Sequence, residues 1–92
     1  MSDAVHLRIT GRVQGVGYRA WLDREARSRG LHGWVRNRRD GSVETLLIGE
    51  PTALEATIAA CAKGPRLANV AAIERSTAAD DGSSRFVTLP TI

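Results

Sequence analysis

The chain is poor in the residues that build covalent or metal-centred architecture. Its 92 residues include one cysteine, Cys61, and two histidines, His6 and His32. A single cysteine excludes an intramolecular disulfide framework and any cysteine-based zinc cluster. The histidines are isolated from each other, with no carboxylate at ligand spacing beside them, so neither a metal site nor a cofactor is expected. Aromatic residues make up only 4%. No apolar run approaches the roughly 18 residues that a membrane-spanning helix needs. The opening Met1-Ser2-Asp3-Ala4 lacks the basic and apolar stretches of a secretory signal. These absences lead us to expect a cytoplasmic protein with no membrane partner.

What is present is ordinary globular material: 42% hydrophobic and 25% charged residues, with nine glycines. That length and composition predict one domain over residues 1–92, and a monomer is expected. A chain this short buries only roughly 60–65% of the surface its unfolded form exposes. Any site is therefore expected to be shallow, made of backbone and surface side chains. The net charge of +3 is unevenly spread, because residues 8–39 carry nine arginines against two acids, whereas residues 51–92 are balanced. An anion is the natural partner of the first half, and both nucleic acid and a small phosphorylated molecule qualify.

Periodicity orders the elements. Val5 to Thr10 alternates apolar and polar residues as a strand does. Gly11 to Gly17, with three glycines, is loop chemistry. From Tyr18 to about Arg29 the apolar residues Tyr18, Trp21, Leu22 and Ala26 fall on one helical stripe, and Gly30 stands where a left-handed C-terminal cap belongs. Leu31 to Asn37 and Ser42 to Ile48 read as strands of a hairpin joined at Asp40-Gly41. Leu46-Leu47-Ile48 blurs the alternation, so the buried face of the second strand is not assignable. Thr52 and Glu55 fit a capping box for a helix with Leu54, Ile58, Cys61 and Ala62 on its apolar side, stopped by Gly64-Pro65. A strand near Asn69 to Glu74, a loop over residues 78–84 and a last short strand from Arg85 to Leu89 follow. The order β-α-β-β-α-β is that of the α+β, ferredoxin-like split βαβ fold. This is an antiparallel sheet with two helices on one face, here with a short extra C-terminal strand.

Two places could carry chemistry. The N–H groups of the glycine loop and of the first helical turn can converge on an anion, and Arg19 sits in that turn. A cation there opposes the helix dipole by about a few tenths of a kcal/mol, a sign that a bound anion reverses. By spacing alone the segment is equally a plain strand-to-helix connection followed by an exposed arginine, since it has neither Walker nor dinucleotide-loop spacing. Asn37, before the hairpin turn, could orient a water as donor and acceptor; taken by itself it is more simply a turn asparagine. His6, Arg24, Arg27, Arg36, Arg38 and Arg39 are expected to be solvated, Trp21 and Trp34 to pack, and Cys61 to be a small core residue.

Taken together, Gly11-Arg12-Val13-Gln14-Gly15-Val16-Gly17-Tyr18-Arg19, Gly30-Leu31-His32-Gly33-Trp34-Val35-Arg36-Asn37 and Asp40-Gly41-Ser42-Val43-Glu44 closely resemble the acylphosphatase family. The likeness runs from residue 5 to about residue 75. It implies a metal-independent hydrolase acting on small acyl phosphates to release a carboxylate and inorganic phosphate, the latter both product and competitive inhibitor. It also implies site residues: Arg19 gripping the phosphoryl group, the amides of Gln14, Gly15, Val16, Gly17 and Tyr18 cradling it, and Asn37 positioning the attacking water. Tyr18 stands where relatives more often have Phe, and Gly17 is smaller than many have. Two contrasting readings share the fold. A non-catalytic acyl- or carbamoyl-phosphate-binding relative would continue into cysteine-rich zinc segments, and none follows. An RNA-binding module would stack bases on aromatics of the first and third strands, which contain none, so nucleic acid is not expected as a partner.

Overall fold

Strict alternation makes β1 (Asp3–Arg12) a strand with one dry face: Val5, Leu7 and Ile9 are buried, while His6, Arg8 and Thr10 point the other way. The structure is a computed structural model and describes residues 2–92. α1 (Tyr18–Ser28) buries Tyr18, Leu22 and Ala26, one residue per turn. It stops where only glycine is comfortable. Gly30 has φ +71°, its N–H donates to the Arg27 carbonyl at 3.1 Å, and the Leu31 N–H donates to the Ala26 carbonyl at 2.9 Å. This double closure satisfies the last helical carbonyls.

β2 (His32–Asn37) and β3 (Val43–Gly49) form the expected hairpin. Asp40 locks the turn by accepting from the Ser42 N–H at 2.9 Å and the Ser42 hydroxyl at 2.6 Å. β3 is the middle strand of the sheet order β4-β1-β3-β2-β5, and every residue from Val43 to Ile48 is buried. That explains the blurred alternation. One face packs under the helices, and Leu46 on the other is covered by its register partners His6 and Trp34.

α2 (Pro51–Lys63) departs from the expected capping box. It begins at Pro51 with Glu50 as N-cap, because proline's fixed φ and missing N–H suit the first helical position. Glu55 instead pairs with Arg75. The buried stripe is Leu54, Thr57 and Cys61, with Ile58 half-buried and Ala62 exposed. Thr57 replaces Ile58 there because its hydroxyl is satisfied by the Ala53 carbonyl at 2.8 Å. Cys61 is the core residue expected, and burial pushes its thiol up to about 11.

β4 (Asn69–Thr77) runs three residues further than expected, paired to β1. The chain then crosses to the opposite edge, where β5 (Phe86–Thr88) lies parallel to β2. The direction is forced: a strand following β4 with one reversal runs opposite to β4, and therefore along β2. The other pairings are antiparallel. Both helices cover the face bearing Val5, Leu7 and Ile9, and Phe86 joins the same core.

On the uncovered face, register gathers charges that were expected to be solvated. Glu44 accepts from His6 at 2.7 Å, Arg36 Nε at 2.7 Å and Arg38 at 3.0 Å. The Arg36 guanidinium also lies 4.7 Å from the centre of the Trp34 ring. Burial alone would raise the Glu44 pKa, but the bonds from Arg36, His6 and Arg38 outweigh it and draw the carboxyl down to about 2.

Two outcomes follow for stability. Gly33 sits at φ +123°, and a Cβ there would stand 2.0 Å from the Leu46 carbonyl oxygen across the ladder. Gly33→Ala is expected to cost about 2–4 kcal/mol in urea unfolding, through a strained dihedral and a backbone collision together. Because the folded pKa of Glu44 lies below the ordinary carboxylate value, its contribution is complete above about pH 5 and is lost as pH falls toward 2. Glu44→Gln is expected to flatten the acid limb of a stability-against-pH curve; an unchanged slope over that window would contradict this role.

Candidate active site

Val13 and Tyr18 are both buried in the core, and the chain must turn from strand to helix between them. It does so with Gly15 at φ +73° and Gly17 at φ +78°. Neither glycine is needed for space, since a Cβ at either position would meet nothing within 4 Å. The left-handed dihedral is what demands them. Gly17 is the N-cap of α1, no side chain caps the helix, and no acid stands in its first turn. The first intrahelical bond runs from the Trp21 N–H to the Gly17 carbonyl at 3.0 Å. The N–H groups of Tyr18, Arg19 and Ala20 precede it and have no intrahelical acceptor.

These groups border a concave site of about 350 Å³, lined by Gln14, Gly15, Gly17, Tyr18 and Arg19 on one side and by Asn37 and Thr88 on the other. The structure thus brings together two segments far apart in sequence. Of the residues expected in the cradle, Val16 is the one that does not line the cavity, its side chain packing against the core. The Tyr18 ring is buried edge-on to Trp21 at 5.2 Å. Its hydroxyl, absent from a phenylalanine, donates to the Cys61 carbonyl at 2.7 Å and ties the start of α1 to α2.

Arg19 differs from most arginines of the basic half. Arg8, Arg27, Arg29, Arg36 and Arg38 all have acid partners, whereas none of the ion pairs among the described residues involves Arg19. A guanidinium left without a counter-ion at the positive end of a helix is a site prepared for an anion.

Asn37 supplies the complementary observation. It ends β2, and its carboxamide oxygen Oδ1 is buried without any hydrogen-bond partner. Such an orphan costs about 1–3 kcal/mol unless a donor is supplied from outside the chain. A water or a ligand entering the cavity would supply one.

Two side-chain contacts escaped sequence reasoning, those of Gln14, whose backbone amide alone was expected in the cradle, and of Thr88. The Gln14 side chain donates to the carbonyls of Arg38 at 2.7 Å and Ser42 at 2.9 Å. Thr88 lines the cavity and donates its hydroxyl to Asp23 at 2.9 Å. No local signal announces either, since each contact joins segments distant in the chain. Among the described residues no group of three or more His, Cys, Asp and Glu is placed to hold a metal ion, and no helix is long and apolar enough to cross a membrane.

Comparison with known proteins identifies the family. The acylphosphatase family model matches residues 5–88. An acylphosphatase of Rhodopseudomonas palustris is 52% identical over 82 residues, 88% of this chain and 83% of that protein. One of Bradyrhizobium diazoefficiens is 46% identical over the whole of both chains. The crystal structure of acylphosphatase from Bacillus subtilis superposes with a TM-score of 0.92 at 37% identity, covering 97% of this chain and 99% of that one. A family match over nearly every described element, with relatives half identical along most of their length, places the chain in the acylphosphatase family.

Proposed function

We propose that this acylphosphatase cleaves its substrate with Arg19 and the amides of residues 14–18 holding the phosphoryl group while Asn37 holds the attacking water. The observation that carries the reading is the pairing, in one cavity, of an arginine without a counter-ion and a buried carboxamide oxygen without a donor. The phosphoryl group brings the anion that the first lacks, and the water brings the donor that the second lacks.

The chemistry asks little more of the protein. A carboxylate is a good leaving group, so phosphoryl transfer through a loose transition state needs positioning and charge stabilisation rather than a strong base. The guanidinium presents a planar fork to two phosphoryl oxygens, and the helix-end amides point at the others. Water donates one hydrogen to Asn37 Oδ1 and turns a lone pair toward phosphorus, opposite the departing carboxylate. A phosphoryl oxygen takes the proton as the P–O bond to water forms and the bond to the acyl oxygen breaks. Inorganic phosphate remains in the cradle as product and competes with substrate. The positive charge is supplied by Arg19 and the backbone, so activity is independent of added metal.

Purified protein is expected to hydrolyse benzoyl phosphate at the same rate with and without a chelator. A rate that collapses in chelator and returns with a divalent ion would overturn the metal-independent route. Arg19→Ala should weaken inhibition by phosphate roughly tenfold or more, the worth of one charge-assisted bond, and lower turnover with it. Asn37→Ala should lower kcat by about 10²–10³ while the phosphate inhibition constant holds, since only the water loses its partner. A marked loss of phosphate inhibition in Asn37→Ala would contradict the division of labour between the two side chains.

A further inference from the structure

Gln14 offers the site more than a backbone amide. Its Nε2 donates two bonds, one to the Arg38 carbonyl at 2.7 Å and one to the Ser42 carbonyl at 2.9 Å. Those two residues open and close the β2–β3 turn, for the Arg38 N–H donates to the same Ser42 carbonyl at 2.9 Å. The turn is itself held from several directions. Asp40 accepts from the Ser42 N–H and hydroxyl, the other Asp40 oxygen binds Arg8 on β1 at 2.8 Å, and Glu44 holds the Arg38 guanidinium at 3.0 Å. Asn37 is the residue immediately before Arg38.

One hydrogen bond fixes a distance and leaves a pivot. Two bonds from one planar amide to two carbonyls on a rigid turn fix the rotation as well. We infer that the Gln14 side chain is a positioning residue for hydrolysis, setting the register between the phosphate loop and the Asn37 carboxamide. The inference rests on the reading of Arg19 and Asn37 above and adds to it the element that keeps water and phosphoryl group at the correct separation.

The residue type follows from the geometry. Glutamate has the same reach but presents oxygens to oxygens. Methionine keeps the length and offers no donor. Asparagine keeps the amide and is one methylene too short to reach both carbonyls while the loop stays in place. Glutamine alone among these reaches, donates twice and adds no charge beside the bound anion.

The test is a double-mutant cycle with benzoyl phosphate as substrate and inorganic phosphate as inhibitor, on proteins whose folding is checked by thermal unfolding. Gln14→Met is expected to fold, to lower kcat by about 10- to 100-fold, as small misplacements of reacting groups do, and to weaken phosphate inhibition to a lesser degree. Asn37→Ala, costly in the native background, should cost clearly less when added to Gln14→Met, leaving the double variant near the kcat of Asn37→Ala alone, because a carboxamide already out of register has less left to lose. Should the methionine variant fail to fold, Gln14→Asn carries the same comparison. A folded variant with native kcat overturns the inference by making Gln14 a residue of stability alone, and so does a full, multiplicative loss in the double variant, which would make Gln14 act independently of Asn37. If Asn37→Ala is silent in the native background, the reading of Asn37 itself falls, and the inference with it.

Discussion

The site exists because two buried residues, Val13 and Tyr18, stand too close in sequence for a relaxed connection between a strand and a helix. Both belong to the same core, so the chain between them has no freedom to wander. It must reverse sharply, and it does so through two left-handed glycines. The reversal leaves the helix without a side-chain cap, which turns a defect of local structure into a set of unoccupied donors. Core packing thereby determines where the polar backbone groups are left exposed. The placement of these donors is a by-product of how the hydrophobic residues must be arranged.

Electrostatics then selects among many arginines. The first half of the chain is strongly basic in composition, but folding neutralises much of that charge internally. Glu44 collects Arg36 and Arg38 on the uncovered sheet face, and Asp40 and Glu74 collect Arg8. What composition describes as a general positive field is, in three dimensions, partly a set of paired ions, and among the arginines outside those pairs Arg19 is the one that lines the cavity at the helix end. The exposed pairs among them, such as Arg8 with Glu74, contribute little to stability, typically about 0–1 kcal/mol each.

Legibility in the sequence followed the range of each interaction. β1, α1, the Gly30 cap and the Asp40-Gly41 turn are local signals, and each element stands within a few residues of its expected limits. β3 was opaque because a central strand is covered on both faces, so alternation has nothing to report. The start of α2 was displaced because a proline competing for the first helical position outranks a capping pair one turn in. The direction of β5 is a property of topology, visible only once β4 is placed. Of the candidate site, Arg19, the loop and Asn37 were singled out by resemblance, but the burial of the Asn37 oxygen is a tertiary property and the Gln14 side-chain amide bonds carbonyls 24 and 28 residues away, neither of which any local pattern announces.

The lone cysteine has a consequence of its own. Its side chain is fully enclosed in the core, and burial holds the thiol protonated at physiological pH. Since the thiolate is the reactive species, oxidants and alkylating reagents find no handle on the folded molecule. They gain one only when α2 lifts from the sheet. The sulfur atom therefore serves as a built-in clock: the pace of its labelling reports how often the interior opens.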